Sequence, residues 1–405
     1  MRERWIEPDS IMLAIVQNSP VLGLIPKDET MGGRFMRLPI IHTGAQGRSA
    51  TYATAKTNAV GSDAVAFEVQ YVNNFQIAKL EGDIVDDTKG DANAIAEAID
   101  TEMDATIANM KKDLNMGLFG NVGGARGRIG SITTGIAGAN CRIVLLNPYD
   151  AKFFERGMLL AASANDGTAT GHSLLDSGDT ITITGVDAAN GYLEFASDIT
   201  STITGIGANN YLFAAGDFKL KISGFRGWIP TTDPTSGDSF HSVDRTVQVQ
   251  RLSGIRTNQS GLPIEDGIVS HTAVMGLYDA KPDIVVFNPV RFGALVRSLG
   301  ADRANRMTSI KGDDARVSYS SVKVATPHGD VDVVSDSGCH VDESLYLTLK
   351  TWKLGSVGKL VHVIDDDELM IRRGTGDDWA IDVKSRANLG CKNPGLNGRA
   401  SLASL

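Results

Sequence analysis

Cysteine is scarce in this chain of 405 residues, aromatic residues make up only 6% of it, and no apolar run is long enough to cross a bilayer. Each shortage narrows the reading. Cys141, Cys339 and Cys391 are far apart and odd in number, so they give no sign of a disulfide framework or a paired zinc motif and read as small buried apolar residues. The longest apolar stretch near the start, Ile11 to Val16, is shorter than a signal-peptide core. Gln17, Asn18, Ser19 and Pro20 follow it in place of a cleavage site, so the expectation is an intracellular chain without membrane contact. An excess of positive charge is missing too. The formal net charge of -9 has the wrong sign for a protein whose affinity comes from displacing counterions on nucleic acid. Few aromatics leave little for a ring-lined pocket, whereas 44 glycines point to many turns and strands.

Catalytic motifs are absent as well. There is no GxGxxG, Walker A loop, HExxH, GxSxG or CxxC. Gly124, Gly127 and Gly130 form a ladder of the wrong spacing that follows a helix, and they read as a flexible joint. Asp365, Asp366, Asp367 and Glu368 form the densest acidic run but lack the alternating ligands and glycine of a calcium loop, so they read as a turn between strands. The seven histidines are scattered, and neither His271 nor His362 has a neighbour that marks a nucleophile or a metal partner. Asn258-Gln259-Ser260 matches a glycosylation pattern that a chain without a secretory signal does not use. No catalytic, cofactor-binding or metal-binding residue is assigned, and the chain reads as a non-enzyme.

What is present begins with one long one-sided helix from Asp91 to Gly117. Ile95, Ile99, Met103, Ile107, Met110 and Leu114 recur at intervals of three and four, one stripe along a helix. Asp91 suits the first cap, Glu97, Asp100, Glu102 and Asp104 cluster toward the positive end, Lys111 and Lys112 lie near the negative end, and Gly117 suits a left-handed stop. Alanines along it permit close approach. Such a helix needs a partner surface to persist, because burial of its stripe outweighs its own propensity.

Around this helix the chain changes character several times. Residues 1–33 hold a short helical pattern, Ser10 to Val16, and then Pro- and Gly-punctuated sequence resembling an arm without a core. Arg34 to Ile41 and Val65 to Tyr71 read as strands. Between them, His42 to Ala64 is far longer than a hairpin loop and carries only Arg48, Lys56 and Asp63 as charges, which suggests anchoring on something outside its own domain. From Cys141 to Trp228, short alternating segments (Arg142–Leu146, Thr180–Gly185, Tyr192–Ala196, Tyr211–Ala214 and Phe218–Ile222) are separated by turns, as in a small barrel or sandwich. Pro230 to Asp238 reads as its exit linker. Ile264 to Tyr278, Asp283 to Phe287 and Val290 to Leu299 read as helix, buried strand and helix, and 301–319 as a solvated loop. Strands return at Val322–Ala325, Val331–Val334, Leu345–Leu349, Lys359–Val363, Leu369–Arg372 and Trp379–Lys384, before a tail that reads as ordered.

This order of parts resembles the major capsid proteins of tailed bacteriophages, with the Johnson-type, Hong Kong 97-like fold. Local likenesses are Lys281-Pro282-Asp283-Ile284-Val285-Val286-Phe287-Asn288-Pro289, Leu349-Lys350-Thr351-Trp352 and the ending Asn388-Leu389-Gly390-Cys391-Lys392-Asn393-Pro394-Gly395. The resemblance implies an α+β chain divided into an N-terminal arm (1–41), an extended loop (42–75) and a peripheral domain carrying the spine helix (76–140). An inserted all-β domain (141–228), an axial domain (239–364) and returning peripheral strands with the tail (365–405) complete it. It implies self-assembly through pentamers and hexamers into an icosahedral shell around double-stranded DNA held without sequence specificity. The implied location is the virion, after assembly in the host cytoplasm, with scaffolding, portal and decoration proteins as further partners and no cofactor or membrane. Arg48, Tyr52, Lys56, Asp63, Phe67 and Tyr71 would then contact neighbouring subunits.

Some members of that family crosslink a loop lysine to a neighbour's asparagine. Here Lys56 is the loop's one lysine, with Asn388, Asn393 and Asn397 as conceivable acceptors, but Lys56 reads as a solvated or ion-paired loop residue. Two features depart from the resemblance. The sequence begins almost directly with the arm, implying a separate scaffold if one is used, and the β insertion is larger than the fold requires. An encapsulin-like compartment enclosing an enzyme is the alternative within the same fold. An α/β enzyme or carbohydrate-binding protein with a β insertion is the alternative outside it, and would need a convergent polar site that the sequence does not display.

Overall fold

The computed structural model describes residues 19–81, 92–136, 139–169, 171–235, 237, 239–300, 307–311, 318–363, 371–372 and 378–403. The expected helix at Ser10–Val16, the Asp91 cap and the acidic run 365–368 lie outside them, as do the side chains of Ile95 and Ile99. The chain divides into two compact units. One holds Val72–Gly224 and Lys359–Arg386; the other holds Ser19–Tyr71, Phe225–Gly358 and Ala387–Leu405.

In the first unit the long helix is present as Ala92–Phe119, 28 residues and about 42 Å of rise. Met103, Met110 and Leu114 of its stripe are buried, Ile107 is half-buried, and the buried set continues through Met116, Leu118 and Phe119. Gly117 does not stop the helix. It lies within the last turns, where a Cβ would stand 2.8 Å from Ile222 Cγ1, so its small size serves close approach and not a left-handed cap.

Six strands among the described residues close into a barrel in the order Tyr211–Ala214, Gly127–Ile136, Ala139–Leu145, Tyr192–Phe195, Ile181–Asp187 and Leu159–Ser163. Its interior is filled by alternating inward residues, including Ile129, Ile143, Leu160, Ile183, Leu193, Phe195 and Leu212. The barrel begins earlier than the expected insertion at Cys141. Gly127 and Gly130, read from sequence as part of a joint, lie in its first strand, and Gly127 packs against the Phe154 ring. Phe218–Ile222 is not a strand. Lys219 has a left-handed backbone (φ 62°), and the amides of Lys219 and Lys221 donate to the carbonyls of Gly123 (3.0 Å) and Val122 (3.4 Å), outside any ladder.

In the second unit a seven-stranded mixed sheet runs in the order Ile255–Asn258, Gly398–Ser401, Glu343–Leu347, Ile284–Phe287, Gly329–Ser335, Ser318–Thr326, Met307–Lys311. Its central strand Ile284–Phe287 is buried at every position, the pattern of a strand covered on both faces. The helices Ile264–Gly276 and Pro289–Ser298 occur where the apolar spacing placed them, the second capped by Asn288, whose side chain accepts from Val290 N at 3.0 Å. The segment read as a solvated loop contributes strand Met307–Lys311, paired antiparallel with Ser318–Thr326. Its polar composition hid a period that edge pairing does not require to be apolar.

A buried ion cluster also belongs to this unit. Glu343 accepts from Arg226 Nε at 3.1 Å and from Arg399, and although burial alone would raise its carboxyl, the two guanidiniums hold it at about 2. Cys339 and Cys391 are buried here outside any disulfide, as is Cys141 in the barrel.

Candidate assembly surface

The expected strands around the long loop pair with each other. Phe35–Thr43 runs antiparallel to Asp63–Gln70 in register Phe35↔Gln70 through Ile41↔Ala64, with an irregularity before Thr43↔Asp63. Strict alternation sorts the side chains: Met36, Leu38, Ile40 and His42 point inward, and Phe35, Arg37, Pro39 and Ile41 point outward.

The inward face is bound to its own unit. Met36 and Leu38 lie over Gly390, which has no room for a Cβ, and Asn388 Nδ2 donates to Gln70 O at 2.6 Å. Phe67 is fully buried and meets the Trp228 ring edge-on, with centroids 5.0 Å apart. Phe67 therefore serves the core of its own chain and offers no surface to a neighbour. Tyr71 is half-buried, beside Gly355. His42 is buried, and its Nε2 lies 3.3 Å from the exposed Asp63 carboxylate.

The outward face and the tip differ. A short helix, Tyr52–Thr57, crowns the hairpin, and none of its residues is buried. The tip closes on itself through paired bonds between Gln46 and Val60 (2.9 and 3.0 Å), while Gly47 at φ 129° packs against the Ala59 backbone, where a side chain would not fit. Tyr52 is 83% exposed, Arg48 and Lys56 are exposed, and Val60 and Ile41 add apolar surface beside them. At the root, a groove of about 410 Å³ is lined by Met31, Phe35, Met36 and Leu38 with Lys353 and Lys392 at its edge. Phe35 is partly exposed there, and Lys353 pairs with Asp28 at 2.5 Å. The tip is ordered by its own backbone bonds yet buries no core, which is the physical profile of a docking element.

Of the six hairpin residues picked out from sequence, Arg48, Tyr52, Lys56 and Asp63 are exposed and Phe67 is not. Burial of Phe67 was legible only in part, because strand alternation gives parity but not which face is covered. Asn388 and Asn397 are not poised for a neighbour's lysine. Both are buried, and Asn397 accepts from Trp352 Nε1 and Thr348 N at 2.8 Å while donating to Thr351 Oγ1 at 2.9 Å. Asn393 is half-buried.

The spine helix carries a polar centre that the stripe did not reveal. Asp113 Oδ1 lies 2.6 Å from Arg126 Nη2 and its Oδ2 2.6 Å from Lys221 Nζ, with Asn74 Nδ2 donating at 2.7 Å. Asp217 completes the cluster, 3.0 Å from Arg126 and 3.1 Å from Lys221. Burial would raise the Asp113 carboxyl, but Lys221 and Arg126 outweigh it and hold it below the usual range. Among the described residues no group of three metal-ligating side chains gathers, and no helix is long and apolar enough to cross a membrane.

No family model and no curated protein sequence matches the chain. Solved structures do. A subunit in the capsid asymmetric unit of cyanophage A-1(L) superposes with a TM-score of 0.50 at 10% identity, covering 95% of this chain and 93% of that one. The SrpI encapsulin of Synechococcus elongatus gives 0.45 at 8% identity, with 95% and 88% covered. A Mycobacterium phage Ogopogo chain gives 0.44 at 8%, with 96% and 91% covered. The cyanophage likeness is one of fold over nearly the full length of both chains.

Proposed function

We propose, from the premise that this chain has the Hong Kong 97-like fold, that it is the major capsid subunit of a tailed phage, many copies of which close into an icosahedral shell around packaged double-stranded DNA. The observation that carries the reading is the hairpin: its tip is folded by its own hydrogen bonds, exposes Tyr52, Arg48 and Lys56, and buries nothing of its own. A second copy is the natural cover for it. Each subunit would join several neighbours through tip, outward hairpin face and other edges, so that weak contacts become collectively strong because each further contact is effectively intramolecular. The spine helix supplies stiffness and the subunit performs no chemistry. A formal net charge of -9 suits a container that encloses DNA without gripping it.

The test is the content of particles made when the chain is expressed with its neighbouring assembly genes. Nuclease-protected double-stranded DNA inside closed particles supports the phage reading. Closed particles that hold an enzyme and no DNA replace it with a cellular compartment, and no particles at all remove both.

A further inference from the structure

The root of the hairpin is held at one point by a turn with unusual backbone. Ser239–Phe240 and Val243–Asp244 form a two-stranded ribbon whose connecting residues, His241 and Ser242, both have left-handed backbones (φ 49° and 67°). That is the geometry of a tight primed turn, usually left to glycine or asparagine. The carbonyl of His241 accepts from Glu68 N at 3.1 Å, on the hairpin strand Asp63–Gln70. The imidazole lies against Phe240 (centroids 4.2 Å) and Trp228 (5.5 Å), and Trp228 in turn meets Phe67, the neighbour of Glu68. His241 is thus bound to the hairpin through its backbone and, through Trp228, to the side chain that anchors the hairpin.

This position has no provision for a positive charge. His241 Nε2 is buried and has no hydrogen-bond partner among the described residues. Arg245, four residues on, is buried with its guanidinium 4.3 Å from the Phe240 ring centroid and donates to Gly227 O at 2.8 Å. Other charged groups lie on the elements packed against it. Glu68 stands opposite Arg37 in the hairpin register, Arg226 is bound to Glu343, and the Asp244 carboxylate accepts from Thr246 N and Oγ1.

We propose that His241 is a proton-operated latch: neutral, it holds the hairpin Phe35–Gln70 to the body of its unit, and protonated, it frees the root of the hairpin while the rest of the unit stays folded. A proton on the ring would place a second cation beside Arg245 inside an aromatic cluster, and the turn relieves this by withdrawing, which breaks the His241 O to Glu68 N bond and uncovers Phe67. Burial, with Arg245 adding to it, holds the imidazole at about 4 against an ordinary 6.5. A released imidazole recovers the ordinary value, so release is negligible above pH 6.5, grows as pH falls, and reaches its full extent once pH passes about 4.

The experiment is hydrogen–deuterium exchange on the full chain between pH 7.5 and 4.5, with protection factors corrected for intrinsic rates. Amides of 63–70 are expected to lose about 30-fold in protection between pH 7.5 and 5, and to stay less protected at every pH than those of the buried strand Ile284–Phe287, the mark of an opening that costs less than global unfolding. His241→Asn, which tolerates a left-handed backbone and does not titrate, is expected to abolish that pH dependence. Unchanged protection of 63–70 in the wild type overturns the latch. So does equal protection of 63–70 and Ile284–Phe287 across the range, which would mean that both exchange by global unfolding, or an undiminished response in His241→Asn. If that variant does not fold, the two wild-type profiles decide the matter alone.

Discussion

Lys221 and Asp113 are 108 positions apart in sequence and 2.6 Å apart in space, inside a cluster that also holds Arg126 and Asp217. One end of the pair is on the spine helix and the other follows the last barrel strand, so helix and barrel share a single buried charge balance. Two cations and two carboxylates cancel there, and removing any one leaves the remainder uncompensated.

Asp113→Asn is therefore expected to cost about 3–5 kcal/mol, read as a fall in the urea midpoint without a change in slope. The Asp113 carboxyl is depressed in the folded chain. Its contribution is accordingly full above its ordinary value of 3.8 and lost as pH falls through the lowered one, so the wild-type and Asp113→Asn midpoints should converge in acid. Equal midpoints at pH 7 would mean that the cluster contributes nothing.

Gly224→Ala tests the same junction by sterics. A Cβ there would overlap the carbonyl oxygens of Gly117 and Leu118 at the end of the spine helix, backbone atoms that cannot rotate away. The expected loss is about 2–3 kcal/mol, measured by thermal or urea unfolding. A neutral substitution would show that the helix end yields.

Tyr52→Ala separates folding from assembly. With the side chain 83% exposed, the isolated subunit should keep its stability to within about 0.5 kcal/mol. Shell yield should fall at least tenfold if the tip is a contact. Wild-type yield from Tyr52→Ala would remove the tip from the interface.

His271 makes the second unit acid-sensitive as a whole. It is wholly buried against Tyr346, with Nδ1 2.7 Å from Thr257 Oγ1, and burial lowers it to about 3. A depressed histidine stabilises fully above 6.5 and loses that contribution as pH falls toward its folded value. Unfolding free energy should drop by about 2–3 kcal/mol from this group between pH 7 and 4.5. His271→Asn should be less stable at pH 7 and show a shallower decline. An identical decline would place the acid sensitivity elsewhere.

The long helix, the two helices of the second unit and the buried strand Ile284–Phe287 were legible because their apolar pattern agrees with burial, and Asn288 caps one of those helices as a sequence cap should, whereas Gly117 does not end the long helix. The barrel was legible as a kind but not in extent. Gly127 and Gly130 look like a joint when counted as glycines, and a register irregularity between Ile129 and Ser131 puts Ile129, Ile132 and Ile136 three and four apart, so their strand shows no period of two. Phe218–Ile222 misled in the opposite sense: it alternates like a strand, but Lys221 and Asp217 turn in toward Asp113 and Arg126, partners about a hundred positions away. The hairpin strands were readable, whereas the burial of Phe67 depends on Trp228, and no local pattern joins the two.

The most direct measurement of the central claim is sedimentation velocity of the full chain over a wide concentration range, alone and with the neighbouring assembly gene products. The shell account expects closed particles of megadalton mass whose yield falls at least tenfold in Tyr52→Ala. A 43.0 kDa monomer under every one of those conditions would contradict it.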